Sequence, residues 1–178
     1  MHFFIIFFIK KIEGVDRDLA VDDQLQVAAD AFSGVLQDRF LDDAVDSIGS
    51  SSNEIDRKRL ADGLSEYGSG REAFRRGDVR VASTHFGEAA ARLRAARCEA
   101  GASLAEFDLA RCEIYSRDYD SVLRRLETLR PVAERSGYRH LAARAWWVSG
   151  YVHAVRYEVA PALGQLRRAL DGLDATGD

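Results

Sequence analysis

The sequence predicts an all-α protein, and three observations support the prediction. The 178 residues include only two prolines and are rich in Ala, Leu, Arg, Asp and Glu, a composition that favours helices. Along most of the chain the apolar residues recur at helical spacing. Three stretches also resemble one another at a shift of 40 residues, which predicts an α-solenoid, a stack of helical hairpins.

The overall composition predicts a soluble protein with no nucleic-acid partner. The chain is 47% apolar, which is enough for a core, and its net charge of −4 provides no basic field to attract a polyanion. Arg outnumbers Lys by 22 to 3, a bias typical of a high-GC bacterial coding sequence. Cys98 and Cys112 form no CxxC pair, so we expect two buried thiols in the reducing environment of a cytoplasmic protein.

Residues 1–15 differ in composition from the rest of the chain and begin MHFFIIFFIKKI. The apolar run Phe3–Ile9 is shorter than the about 20 residues that a membrane-spanning helix needs, so no stable membrane insertion is expected. It is not a signal peptide either, because the lysines follow the apolar run instead of preceding it. Three interpretations remain open, namely an interfacial anchor, a disordered adhesive tail and a misassigned start codon. We expect this leader to lie outside the fold.

Residues 16–53 predict a short helical N-terminal segment and a linker. The apolar residues are spaced for helices at about 22–37 and 38–48. The break GSSSN follows, and Ser51 with Glu54 three residues later has the form of a capping box. A new helix is therefore expected to begin there.

Residues 54–178 predict three helical hairpins, joined within and between pairs by turns such as RRGD, SRDY and ERSGY. The stretches at 71–90, 111–129 and 151–170 align without a gap at a shift of 40 residues. Four aligned columns hold apolar residues or glycine, and the third of them is large in every repeat. They are Gly70/Ala110/Gly150, Ala82/Val122/Ala162, Phe86/Leu126/Leu166 and Ala89/Leu129/Ala169. A small residue lets two helices cross closely, and the large residue fills the remaining gap. The repetition therefore predicts close helix crossings once per hairpin.

One further column holds the large side chain of Trp146 in the third hairpin. Glu66 and Glu106 occupy the same column in the first two hairpins. Because charged carboxylates are seldom buried, this column is expected to be solvated there.

These columns resemble the tetratricopeptide repeat, whose helix pair carries the pattern W-x2-L-G-x2-Y followed by A-x3-F. The period of 40 exceeds the family's usual value of about 34 residues. Long Arg-rich hairpins of this type resemble the repeat region of bacterial CHAT-domain proteins, in which the array precedes a caspase-like peptidase domain. The resemblance implies a non-catalytic protein-interaction scaffold. The alternatives are the N-terminal repeat region of a larger enzyme or signalling protein, and the sensor array of a transcription regulator.

The last hairpin ends at ATGD, where no capping helix is recognisable. Solenoids need a polar capping helix to cover the apolar face of their final repeat. The last helix, at about 160–174, presents more apolar surface than one neighbouring helix can cover, with Leu163, Leu166, Ala169, Leu170 and Leu173. We therefore expect it to fray, to dimerise or to bind a continuation of the chain.

The sequence contains no recognisable catalytic constellation. His85, His140 and His153 are scattered along the helices and form no metal-ligand spacing, and the cysteines lie in scaffold helices without a nucleophile signature. We expect neither enzymatic activity, nor a cofactor, nor a metal.

A candidate binding groove comes from two columns one helical turn apart. One column is aromatic in all three hairpins, and the other holds two arginines and a tyrosine. The residues are Tyr67, Phe107 and Trp147 in the first column, and Arg71, Arg111 and Tyr151 in the second. The resemblance implies a concave groove for a peptide or partner domain, here one with acidic and apolar or aromatic groups. The alternative is that the aromatic residues pack against the next helix.

Overall fold

The computed structural model describes residues 38–49 and 54–176, and within these ranges all regular structure is α-helical. The helices are α1 (Phe40–Gly49), α2 (Glu54–Arg75), α3 (Val79–Ala95), α4 (Glu99–Tyr115), α5 (Tyr119–Ser136), α6 (Arg139–Val155) and α7 (Val159–Thr176). The predicted all-α class is thus found, as are the helix near 38–48 and the helix start at Glu54. The leader at 1–15 and the helix expected at 22–37 lie outside the described residues.

The five turns that join α2 to α7 share one backbone geometry. Each contains one residue with a positive φ, and these residues are spaced 20 apart: Gly77, Arg97, Arg117, Gly137 and Tyr157. In the first turn the Asp78 N–H donates to the Ala73 carbonyl at 2.9 Å, and the Gly77 N–H donates to the Phe74 carbonyl at 3.0 Å. This is the Schellman arrangement, and the same two bonds close the other four turns.

Only two or three residues separate one helix from the next in these turns. Asp78, which closes α2, also accepts the first hydrogen bond of α3, from the Ala82 N–H at 2.9 Å. Cys98, Asp118, Tyr138 and Glu158 have the same double role. The turn therefore recurs twice per 40-residue period, although only two of the five left-handed positions are glycine. The turn at Arg97 contains no Gly or Pro from which the sequence could predict it.

The helices pack in two layers. Each helix from α2 to α7 packs against the next one, and α4 also contacts α2 and α6. The helices α2, α4 and α6 therefore lie side by side, and we call their shared surface the inner layer. Helix α1 contacts α4 and so lies on this layer.

The predicted columns of small residues mark the helix crossings. A Cβ atom added at Gly70 would lie 2.8 Å from the Phe86 ring, and one added at Gly150 would lie 2.8 Å from Leu166 Cγ. In the middle pair of helices Ala110 is fully buried. The alternation of small and large residues therefore corresponds to real contacts within the helix pairs α2–α3 and α6–α7.

The expectation of a solvated column at Glu66 and Glu106 is wrong. Glu66 in α2 binds His85 Nδ1 at 2.7 Å and also pairs with Arg92. Glu106 in α4 pairs with Arg125, 19 residues further along as in the first pair of helices, and its side chain is only 20% exposed. The carboxylates are tolerated because cations on the neighbouring helices neutralise them.

Trp146 occupies the equivalent position in α6 and also receives cations. The Arg130 guanidinium carbon lies 3.9 Å from the indole centre and that of Arg168 lies 4.7 Å from it. The indole N–H donates to Glu134 at 3.1 Å. In all three helix pairs the residue of this column therefore contacts positively charged side chains. A carboxylate binds them in the first two pairs, and the face of the Trp146 ring binds them in the third.

Helix α1 is fixed across the inner layer near the start of α6. The Asp38 carboxylate accepts the N–H of Phe40 at 2.8 Å and that of His140 at 2.7 Å. The Phe40 ring packs edge-on against Tyr138, with ring centres 5.4 Å apart, and the Tyr138 hydroxyl donates to Asp43 at 2.9 Å. An apolar cavity of about 50 Å³ remains beneath α1, between α2 and α4.

Candidate protein-interaction surface

Tyr67, the first member of the predicted aromatic column, is buried. Its side chain is 2% exposed, and its hydroxyl donates to Asp108 of α4 at 2.7 Å. Arg71, one turn further along α2, also interacts with this hydroxyl. Burial, followed by the nearby Asp108 charge, raises the pKa of Tyr67, so the phenol stays protonated as a donor.

Phe107, the second member, is also 2% exposed. The Arg144 guanidinium of α6 lies over its ring, 4.6 Å from the ring centre. Arg111, one turn further along α4, donates to Asp108 at 2.8 Å and lies 4.7 Å from the centre of the Phe74 ring. The buried members of the column therefore pack against the next inner-layer helix.

Trp147 differs from the other two because its side chain is 53% exposed. Its ring stacks on Tyr151, with centres 6.2 Å apart and an interplanar angle of 15°. Tyr67 is covered by α4 and Phe107 by α6, but in the described chain no inner-layer helix follows α6. The predicted groove with three exposed aromatic residues is therefore not formed, and the column is a packing surface whose last member is open.

Four charged residues of that surface form one group, which we call the arginine cluster: Arg71, Arg111 and Arg144, arranged around Asp108. Asp108 is 3% exposed, whereas Arg111 is 34% exposed and faces solvent. The pKa of Arg144 is lowered by burial first, and the positive charges of Arg111 and Arg71 add to this effect while Asp108 opposes it. On the inner layer Asp108 thus pairs directly with Arg111, while Arg144 lies within electrostatic reach of it and Arg71 interacts with the Tyr67 hydroxyl that donates to it.

An aromatic pair adjoins the cluster. Phe74 and Tyr115 pack edge-on with ring centres 5.5 Å apart, and Tyr115 is 66% exposed. Because Arg111 lies over Phe74, the cation and the aromatic pair form one continuous surface. This surface can bind a carboxylate beside an apolar side chain.

Sequence reasoning missed Asp108 and Arg144, the two residues that organise the cluster. At the repeat shift, Arg144 aligns with Leu104 and Leu64, and Asp108 aligns with Gly68 and Val148. A charged residue that interrupts a column of uncharged residues was the available signal.

The described chain holds two buried thiols and no clustered metal ligands. No group of three or more His, Cys, Asp or Glu side chains there could hold a metal ion. Cys98 and Cys112 are buried free thiols, as expected, and burial raises the pKa of Cys112 to about 12. A helix long and apolar enough to cross a membrane is not found among the described helices.

Comparison with protein-family models, with curated proteins and with solved structures found no match to this chain. The class of protein is therefore defined by its own geometry: an all-helical chain of consecutively packed helix pairs, with a cationic and aromatic surface on one layer.

Proposed function

We propose that the chain is a tetratricopeptide-like α-solenoid that acts as a non-catalytic protein-interaction scaffold and binds an acidic segment of a partner protein on its inner layer. The observation that supports this function best is the arginine cluster, in which three guanidiniums surround a single buried carboxylate. The solenoid is supported by five equivalent turns at 20-residue intervals and by the small residues at the helix crossings.

The cluster suits carboxylates for a geometric reason. A guanidinium donates two parallel hydrogen bonds to a carboxylate, and such a pair is stronger where water is partly excluded. Asp108 and the Phe74 ring hold Arg111, and the Phe107 ring supports Arg144. These guanidiniums are therefore held in position before a ligand arrives, which reduces the entropy cost of binding.

Helix α1 indicates what kind of segment the inner layer accepts. Its sequence FLDDAVDSIG is acidic and amphipathic, with Phe40 buried in the core and Leu41, Ala44 and Ile48 packed against it. It lies across the first halves of α2 and α4 and the start of α6, whereas Arg71, Arg111 and Tyr115 lie further along α2 and α4. A partner segment of similar character would lie beside α1, with its carboxylates on the cluster and an apolar side chain on Tyr115.

The proposal can be tested by selecting binders from a random peptide display library with the full chain. Asp and Glu should be enriched beside an apolar residue, because the cluster and Tyr115 adjoin each other. Selected peptides are then labelled, and their affinities are measured by fluorescence anisotropy. Replacement of their acidic residues by Asn or Gln should abolish binding, and added salt should weaken it.

The informative protein variant is Arg71→Gln with Arg144→Gln, since it leaves the Arg111–Asp108 pair in place. It should weaken the selected peptides by about 30-fold or more. The matched control is Arg80→Gln with Arg135→Gln, which removes the same charge from exposed positions on α3 and α5. Equal affinities for the two variants, or a library selection without acidic enrichment, would contradict the proposal.

A further inference from the structure

At the α6–α7 end of the described helices several large apolar side chains are exposed, and we call this surface the end face. Its large members are at least 36% exposed: Trp147, Tyr151, Val155, Val159, Leu163 and Leu170. They include most of the exposed large apolar side chains in the described ranges, which are otherwise scattered. Such a concentration marks an interaction surface.

The end face is equivalent to an interface that the chain already makes internally. Trp147 corresponds to Tyr67 and Phe107, each of which is covered by the next inner-layer helix. Leu163 corresponds to Leu123, which is only partly exposed and packs against the core. The end face therefore has the chemistry of a helix-packing surface, and a helical occupant fits it.

At the other end of the consecutively packed helices, the described surface of α2 has a different character. Helix α2 carries two surface ion pairs near its start, Lys58 with Asp62 at 3.1 Å and Arg59 with Asp56 at 3.2 Å. Head-to-tail stacking of two copies would place these charges against the apolar end face, which desolvates them without apolar gain. Contact between two identical end faces avoids this desolvation cost, and it relates the two copies by a two-fold axis.

We propose that the end face binds a second copy of this chain, so that α6 and α7 of the two copies form a four-helix contact around a two-fold axis. Helix α7 carries the apolar seam that homotypic helix pairing uses, with spacings of four and three residues in alternation: Val159, Leu163, Leu166, Leu170 and Leu173. Leu166 faces Gly150 of α6, whereas Leu163 and Leu170 are 64% and 61% exposed and point outward. The seam thus has one side used within the chain and one side open to a second copy.

The size of the end face is sufficient for such a dimer. Helices of 17 and 18 residues are about 26 Å long, and two of them side by side, each about 10 Å wide, give a face of roughly 500 Å². Two such faces bury about 1,000 Å², the lower limit for a specific interface. The arginine cluster takes no part in this contact, so dimerisation and peptide binding are independent proposals.

Sedimentation equilibrium of the full chain over a wide concentration range tests the dimer. The wild-type chain should be dimeric, and Leu163→Asp with Leu170→Asp should weaken association by about 100-fold or more, because each copy would bury two unpaired carboxylates. The matched control, Ile55→Asp with Val81→Asp, changes two exposed apolar side chains away from the end face and should remain dimeric. Circular dichroism should show equal helicity for all three proteins, since the changed side chains are exposed.

Tryptophan fluorescence provides a second measurement that needs no variant. Trp147 should become more accessible to iodide when the wild-type chain is diluted through the dissociation range, because the contact covers it. A wild-type chain that remains monomeric at high concentration overturns the proposal. A dimer that survives both aspartate substitutions also overturns it, since the contact must then lie elsewhere.

Discussion

The Tyr67 hydroxyl of α2 donates a hydrogen bond to Asp108 of α4 over 2.7 Å, and both side chains are buried. The bond joins two inner-layer helices that belong to different helix pairs. Asp108 also accepts from Arg111 at 2.8 Å, so one carboxylate links the packing of the helix pairs to the proposed binding surface. The stability of this contact and the placement of Arg111 should therefore depend on each other.

Substitution of Tyr67 by Phe should lower the free energy of unfolding by about 1–3 kcal/mol, because a buried carboxylate loses one of its donors. Urea denaturation of the purified chain measures the loss. Tyr115→Phe is the control, since its ring is 66% exposed, and it should change stability little. Equal losses for the two variants would show that the Tyr67–Asp108 bond contributes nothing specific.

Gly150→Ala should destabilise the chain by about 1–3 kcal/mol. The added methyl group would lie 2.8 Å from Leu166 Cγ and 3.2 Å from the Leu166 backbone nitrogen, so the helix itself would have to move. Gly164→Ala is the control on α7, where the added atom meets nothing within 4 Å. There the better helix propensity of alanine should add about 0.5–1 kcal/mol. Denaturation midpoints that shift in the same direction for both variants would contradict the crossing geometry.

Arg117→Gly should stabilise the chain by about 1 kcal/mol, because Arg117 has a φ of 58° and glycine adopts that conformation without strain. The comparison is Arg124→Gly in the middle of α5, which should cost about 1 kcal/mol of helix propensity. Thermal melts of the two variants should therefore move in opposite directions. A lower melting temperature for Arg117→Gly would show that the Arg117 side chain contributes more stability than its positive φ costs.

The pH dependence of stability should depend on Glu66. The hydrogen bond from His85 and then the pairing with Arg92 lower the pKa of this carboxyl. A lowered folded-state pKa gives stability that is present above the unfolded value of about 4.3 and is lost as the pH falls through the folded value. Glu66→Gln should thus cost about 1 kcal/mol at neutral pH and nothing once the carboxyl is protonated. Urea midpoints across this pH range test the prediction, and Glu127→Gln, at an exposed site on α5, is the reference substitution.

The helix crossings were predictable from the sequence because steric demands repeat with the chain. Gly70 and Gly150 must be small wherever a helix crosses, and Phe86 and Leu166 must be large enough to fill the gap beside them. The same reasoning could not decide whether the aromatic column is exposed. A column position defines the face of a helix, but exposure depends on whether another helix follows, and this differs between Phe107 and Trp147.

Charge compensation was equally hidden from the sequence. Glu106 looked solvated because its partner Arg125 is 19 residues away on another helix and no local spacing connects them. The position of α1 is a similar case. Its amphipathic pattern predicted a helix, but the bond from the His140 N–H to Asp38 that fixes it spans 102 residues. Contacts between distant residues of this kind depend on the assembled layer.

The five short turns also bear on how the chain responds to force. Neighbouring helices are joined by only two or three residues, and the last residue of each turn both closes one helix and accepts the first hydrogen bond of the next. A bending load on the ends would be divided among five joints of the same geometry and would not concentrate in one flexible linker. The chain from α2 to α7 would then deform as a spring, with small changes at every joint adding up along its length.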